Sequence, residues 1–177
     1  MNDIRLHDKV FEPYISQDEI LRTVRELSRR VAEDVQGMPV FIVTLKGAAP
    51  FAMDFAKFYQ GDAVFDYIRV KSYAGTGSTG KVDIILDVTE NIEGKNVYIL
   101  EDIVDTGTTL EIVLDMVKKK NPASVKVVTL FHKPEAYKKN IPLDFIGMNI
   151  PNKFIVGYGL DYNELGRNLQ DIYQLKS

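Results

Sequence analysis

Three acids and three threonines crowd one short stretch of this chain, Val97-Tyr98-Ile99-Leu100-Glu101-Asp102-Ile103-Val104-Asp105-Thr106-Gly107-Thr108-Thr109-Leu110. An apolar run delivers the adjacent carboxylates Glu101 and Asp102. Asp105 follows, and then a Thr/Gly turn opens a helical pattern. Backbone N–H groups at such a turn, joined by threonine hydroxyls, form a cradle for a phosphate group. Carboxylates repel that anion and suit sugar hydroxyls or a metal ion instead. The unit therefore suits a phosphorylated sugar, with its phosphate on residues 106–109 and its hydroxyls beside Glu101 and Asp102. A plainer reading is a capped helix, with Asp105 as N-cap. Asp-Thr-Gly also occurs in aspartic proteases, but those pair two such carboxylates in a mainly β fold.

The elements around this stretch argue for a different fold. VYIL at 97–100 is a short apolar run that reads as a buried strand. A helix follows through Lys120 and is stopped by Asn121-Pro122, and VKVVTLF at 125–131 is a strand again. Strand, loop, helix, strand is a βαβ unit and implies parallel pairing. Upstream, Ser16 and Glu19 form a capping-box pattern before Ile20, Val24, Leu27, Val31 and Val35 at helical spacing. The run at 40–45 is a further buried strand. Residues 48–59 are helical with Phe51, Phe55 and Phe58 on one face, and 63–73 are mostly strand. Val82, Ile84, Leu86 and Val88 alternate as a strand does, and short strands are expected near 145–150 and 154–158. The fold class is α/β, a mostly parallel sheet flanked by helices. Ligands of such sheets bind beyond the carboxyl ends of the strands.

Composition narrows the class further. The 177 residues fit one domain spanning 1–177, and 45% hydrophobic with 27% charged residues is ordinary for a globular chain. No stretch approaches the roughly 18 apolar residues of a membrane span, and the first residues carry no apolar run of a secretory signal. The chain has no cysteine, which excludes disulfides and thiolate metal sites. A net charge of −3 argues against general nucleic-acid binding. Two glycine motifs mislead. Gly75-x-Gly77-x-x-Gly80 matches a dinucleotide fingerprint, and Gly75 to Lys81 matches most of a P-loop. Both need a helix next, whereas the following segment alternates as a strand.

The 97–110 segment resembles the PRPP-binding (phosphoribosyl-pyrophosphate) motif of type I phosphoribosyltransferases, and the chain from about 38 to 168 is similar, more narrowly, to the hypoxanthine-guanine phosphoribosyltransferases. Leu45-Lys46-Gly47 resembles their pyrophosphate loop. Ser72-Tyr73 begins a segment similar to their mobile catalytic loop, and Lys133 matches their purine-contacting lysine. Residues 153–158, KFIVGY, followed by LDYNE at 160–164, match the base-binding strand and loop, and Arg167 falls at a pyrophosphate-contacting arginine.

The resemblance implies a small hood formed by terminal segments and transfer of the phosphoribosyl group of PRPP to N9 of a 6-oxopurine, giving IMP or GMP and pyrophosphate. It implies Asp105 as general base near N7, with Thr106, Gly107, Thr108 and Thr109 on the 5′-phosphate. Glu101 and Asp102 would lie on the ribose hydroxyls directly or through Mg2+. Lys46, Gly47, Ser72, Tyr73 and Arg167 would hold pyrophosphate, and Tyr73 would cover the reaction centre as a lid. Lys133 would select the 6-oxo group, which excludes adenine. Phe154 would stack on the purine, Ile155 would offer backbone groups to the base edge, and Asp161 would stand near the C2 edge and a second Mg2+. Leu45–Lys46 is often a cis peptide in that family. A cytoplasmic homodimer or homotetramer without nucleic-acid or membrane partners is implied as well. Plainer roles stay open: a surface ion pair for Arg167, a turn carboxylate for Asp161, a core ring for Phe154. An RNA-binding regulator on the same fold is the alternative. It would need a basic face, and Lys118-Lys119-Lys120 reads more simply as a last helical turn that complements the dipole.

Overall fold

The computed structural model describes residues 2–72 and 82–176. Its main sheet has six strands in the order β5-β4-β3-β6-β7-β8: β3 (Val40–Thr44), β4 (Val64–Ser72), β5 (Val82–Leu86), β6 (Asn96–Val104), β7 (Ser124–His132) and β8 (Phe145–Asn149). All neighbours pair in parallel except β5, which runs antiparallel to β4. A parallel sheet must be covered on both faces, and β3 is accordingly buried along its whole length. Phe41 and Val43 face α1 (Gln17–Asp34) and α2 (Ala49–Phe58), while Val40 and Ile42 lie in the cluster with α3 (Thr108–Lys118). The helical spacing noted in the sequence turns Ile20, Val24, Leu27 and Val31 of α1 inward. Ser16 caps that helix, its Oγ accepting from the Glu19 N–H at 3.3 Å.

The expected hood is present. Strands β1 (Ile4–Leu6), β2 (Lys9–Ile15), β10 (Ile172–Leu175) and β9 (Ile155–Val156) form a separate antiparallel sheet over a small core of Phe11, Val156 and Tyr173.

Two expectations need correction. β6 runs on to Val104, so Glu101 and Asp102 lie within the strand rather than at its end, because the ladder to β7 continues to the pair Val104↔His132. The alternation at 82–88 does form a strand, β5, which as the edge strand leaves Ile84 54% and Ile85 50% exposed, while Val88, beyond it, is buried. The strand expected at 154–158 shrinks to two residues and joins the hood instead of the main sheet. Gly157, Tyr158 and Gly159 all take positive φ and turn the chain away. The strand β5 after Lys81 also removes the helix that both glycine motifs required. Their glycines lie outside the described residues.

Candidate active site

The chain leaves β3 for β4 on one side of the sheet and leaves β6 for β7 on the other. The intervening helices, α2 and α3, cover opposite faces. The loops after β3 and β6 therefore diverge, opening the crevice that such a switch point provides. A cavity of about 270 Å³ lies there, lined by Thr44, Leu45, Gly47 and residues 101–110.

At its outer end, Thr106, Thr108 and Thr109 are exposed around the buried Gly107. Gly107 is the N-cap of α3 at φ +84° and gives the helix no side-chain cap, so Asp105 is not the cap. Glycine is required twice over. The backbone is left-handed, and a Cβ there would lie 2.6 Å from the Tyr137 ring and 2.9 Å from Lys139 Cγ. An uncapped helix start with exposed hydroxyls is what an anion cradle needs.

At the inner end Glu101 is buried, its Oε1 accepting from Thr44 Oγ1 at 3.0 Å. Burial, then the neighbouring Asp102 charge, pushes its carboxyl up to about 8. Burial raises Asp102 too, against hydrogen bonds that include the Ile103 N–H at 2.8 Å. The ionised Glu101 thus costs the empty protein stability. That cost is absent below the ordinary value of 4.5 and fully present above about 8. Without divalent cations, Tm is expected to fall as pH rises from 5 to 8.5, and Glu101→Gln is expected to flatten that fall while its carbonyl still accepts from Thr44. Parallel slopes in a pH series of melting curves would contradict this.

The β3 loop closes onto the acids. Leu45–Lys46 is a cis peptide. A Cβ on Gly47 would lie 1.7 Å from Asp102 Oδ2, and a Cβ on Gly159 would lie 2.0 Å from the Gly47 carbonyl oxygen. Gly47→Ala is therefore expected to displace the Asp102 carboxyl and to destabilise the fold by about 1–3 kcal/mol, as overpacking does. Melting curves together with initial rates check this, and an unchanged variant would contradict it.

Two ion-paired groups stand beside the cavity. Lys133 follows β7, is 5% exposed, and donates from Nζ to Asp105 Oδ2 at 2.8 Å. Its N–H donates to the Val104 carbonyl at 3.0 Å, which fixes it beside the end of β6. The second group joins Lys46, Asp161, Glu164 and Arg167. Lys46 Nζ is 2.8 Å from Glu164 Oε2, and Arg167 Nη2 is 2.7 Å from Asp161 Oδ1 and 3.5 Å from Glu164 Oε2. Arg167 Nη1 also donates to the Gly159 carbonyl at 2.8 Å.

The fold thus brings together Glu101, Asp102 and residues 105–109, with Lys133 on Asp105, and gathers Lys46, Gly47, Asp161 and Arg167 nearby. Phe154 and Ile155 belong to the hood. Phe154 is 44% exposed, its ring edge-on to Tyr162 at 5.9 Å, whereas Ile155 is buried in the ladder to β10. Ser72 ends β4, and Tyr73 lies outside the described residues. Among the described residues no three His, Cys, Asp or Glu side chains gather to hold a metal ion. Sequence reasoning gave no role to Thr44 or Glu164. Register finds the first, since Val43↔Leu100 pairing sets Thr44 beside Glu101. The second lies in the LDYNE segment matched above, but no spacing there marks its contact with Lys46 and Arg167.

Comparison with known proteins supplies the remaining findings. The phosphoribosyl transferase domain family matches residues 16–163. The hypoxanthine-guanine phosphoribosyltransferase of Streptococcus thermophilus is 43% identical over 163 residues, 91% of each chain. The bifunctional protein TilS/HprT of Listeria monocytogenes is 41% identical over 97% of this chain, which spans only 27% of that relative's length. A crystal structure of a hypoxanthine-guanine phosphoribosyltransferase from Bacillus anthracis superposes with a TM-score of 0.87 at 38% identity, covering 93% of this chain and 98% of that one.

Proposed function

The chain belongs to the phosphoribosyl transferase family, and on that premise we propose that it is a purine-salvage pentosyltransferase, moving the 5-phosphoribosyl group of PRPP to N9 of hypoxanthine or guanine to give IMP or GMP and pyrophosphate. One observation carries the reading: a single cavity joins an uncapped, threonine-rich helix start to the buried Glu101 and the half-buried Asp102, with a paired lysine and aspartate at its edge.

In this reading the 5′-phosphate sits on residues 106–109 and the ribose hydroxyls face Glu101 and Asp102. N9 forms its bond to C1′ as the C1′–O bond to pyrophosphate breaks, and the electron pair of that bond leaves with pyrophosphate. Positive charge grows on the ribose beside Glu101 and Asp102, whose ionised forms stabilise it. Asp105 accepts the purine proton at N7. Lys133 donates to the 6-oxo oxygen, where adenine would present a 6-amino donor that the ammonium cannot pair with. Lys46, Gly47 and Arg167 receive the leaving group. Phe154 offers a ring face to the base, Ile155 its backbone, and Asp161 the C2 edge. Ser72 and Tyr73 complete the reading as a cover over the reaction centre.

Glu101 and Asp102 are hard oxygen donors, and burial raises both, with the Asp102 charge adding to the effect on Glu101 and the Asp161 charge to that on Asp102. That crowding suits a cation. Mg2+ typically takes one or two carboxylates together with substrate phosphates, so two acids without a third fit it. Bound there, Mg2+ would neutralise ribose-side and pyrophosphate oxygens, with Asp161 near a second ion. A homodimer or homotetramer in the cytoplasm completes the proposal. No helix among the described residues is long and apolar enough to cross a membrane.

An absorbance assay with PRPP, Mg2+ and each purine in turn tests the reading. Turnover with hypoxanthine and none with adenine is expected. No turnover with any 6-oxopurine, or salt-dependent retention of RNA instead, would overturn it.

A further inference from the structure

Resting on the phosphoribosyl-transfer reading, we propose that Glu164 is a built-in occupant of the pyrophosphate subsite, an anion that PRPP must displace and that returns as pyrophosphate departs. A single oxygen, Glu164 Oε2, bridges the two cations assigned to the leaving group, at 2.8 Å from Lys46 Nζ and 3.5 Å from Arg167 Nη2. A phosphoryl oxygen bound by the same pair would make that contact.

The backbone holds the side chain there against its own preference. Asn163 and Glu164 take φ of 48° and 69°, a left-handed conformation uncommon for non-glycine residues. They are kept in it by the Glu164 N–H donating to Asp161 Oδ2 at 2.8 Å and by the Tyr162–Leu165 bridge. Removal of the occupant leaves the site intact. The Glu164 side chain is 66% exposed and free to turn into solvent. Arg167 stays oriented meanwhile by Asp161 and the Gly159 carbonyl.

The consequence is competition. A subsite that is mostly self-occupied binds its ligand more weakly by the fraction left open, and exposed ion pairs of this kind set that penalty at about 2- to 10-fold. The same competition favours release of pyrophosphate.

Calorimetric titration of the protein in Mg2+ with PRPP and with inorganic pyrophosphate, beside initial rates, tests this in Glu164→Gln. Both ligands are expected to bind about 2- to 10-fold more tightly, and pyrophosphate to inhibit correspondingly better as a product. Glu164→Ala, which removes the group outright, is expected to shift both ligands the same way. A carboxylate that merely aligns Lys46 and Arg167 predicts the opposite sign, so unchanged or weaker binding in both variants would overturn the proposal. Failure of the unaltered protein to bind PRPP at all would instead overturn the enzyme reading on which it rests.

Discussion

Asp105→Asn is expected to lower kcat by about 10²–10⁴-fold, the typical contribution of a positioned general base, while PRPP affinity stays close to that of the parent. The geometry separates the two effects. Asp105 stands where β6 ends, outside the phosphate-cradling turn proper, and the N-cap of α3 is Gly107 rather than Asp105. Loss of its charge therefore leaves the helix start intact. Asparagine is the informative replacement because Lys133, whose side chain is only 7% exposed, keeps an acceptor. Alanine would strand a buried ammonium and mix a folding penalty with the catalytic one. Initial rates, PRPP titration and a melting curve on one preparation separate these outcomes. Full activity of the variant would remove Asp105 as the base.

Lys133→Met is expected to lower kcat/KM for hypoxanthine by about 10- to 150-fold, the value of a hydrogen bond to a charged group, and to narrow the preference for hypoxanthine over adenine. Methionine fills the buried stem of the lysine without its charge. Asp105 then loses its partner, but its side chain is 44% exposed and water can solvate it. Stability should consequently change less than specificity. Rates with both purines check the prediction, and undiminished discrimination against adenine would place the 6-oxo contact elsewhere.

Much of this site is legible in the sequence because it depends on local pattern. The period of the α1 residues, the βαβ rhythm around Glu101 and the Thr/Gly turn at 106–109 each have a physical signature within a few residues. What the sequence misses depends on contacts between distant segments. The edge position of β5 is one such case: Ile84 and Leu86 share one face of an alternating strand yet stay exposed, because burial depends on what covers the sheet, not on alternation. The reach of β6 to Val104 is another, because the ladder to β7 sets it. Glu164 is the sharpest instance. Its meeting with Lys46 brings together residues 118 positions apart, and no spacing rule records that encounter. The close approaches at Gly47 and Gly159 are invisible for the same reason.

The claim on which all else depends is that the turn after β6 grips a phosphate monoester. The most direct measurement is a titration of isotope-labelled protein with ribose 5-phosphate, following backbone amide resonances. The account predicts that the largest shifts fall on Thr106, Gly107, Thr108 and Thr109. Their absence there, with the largest shifts at Lys46 and Arg167 or nowhere, would contradict it.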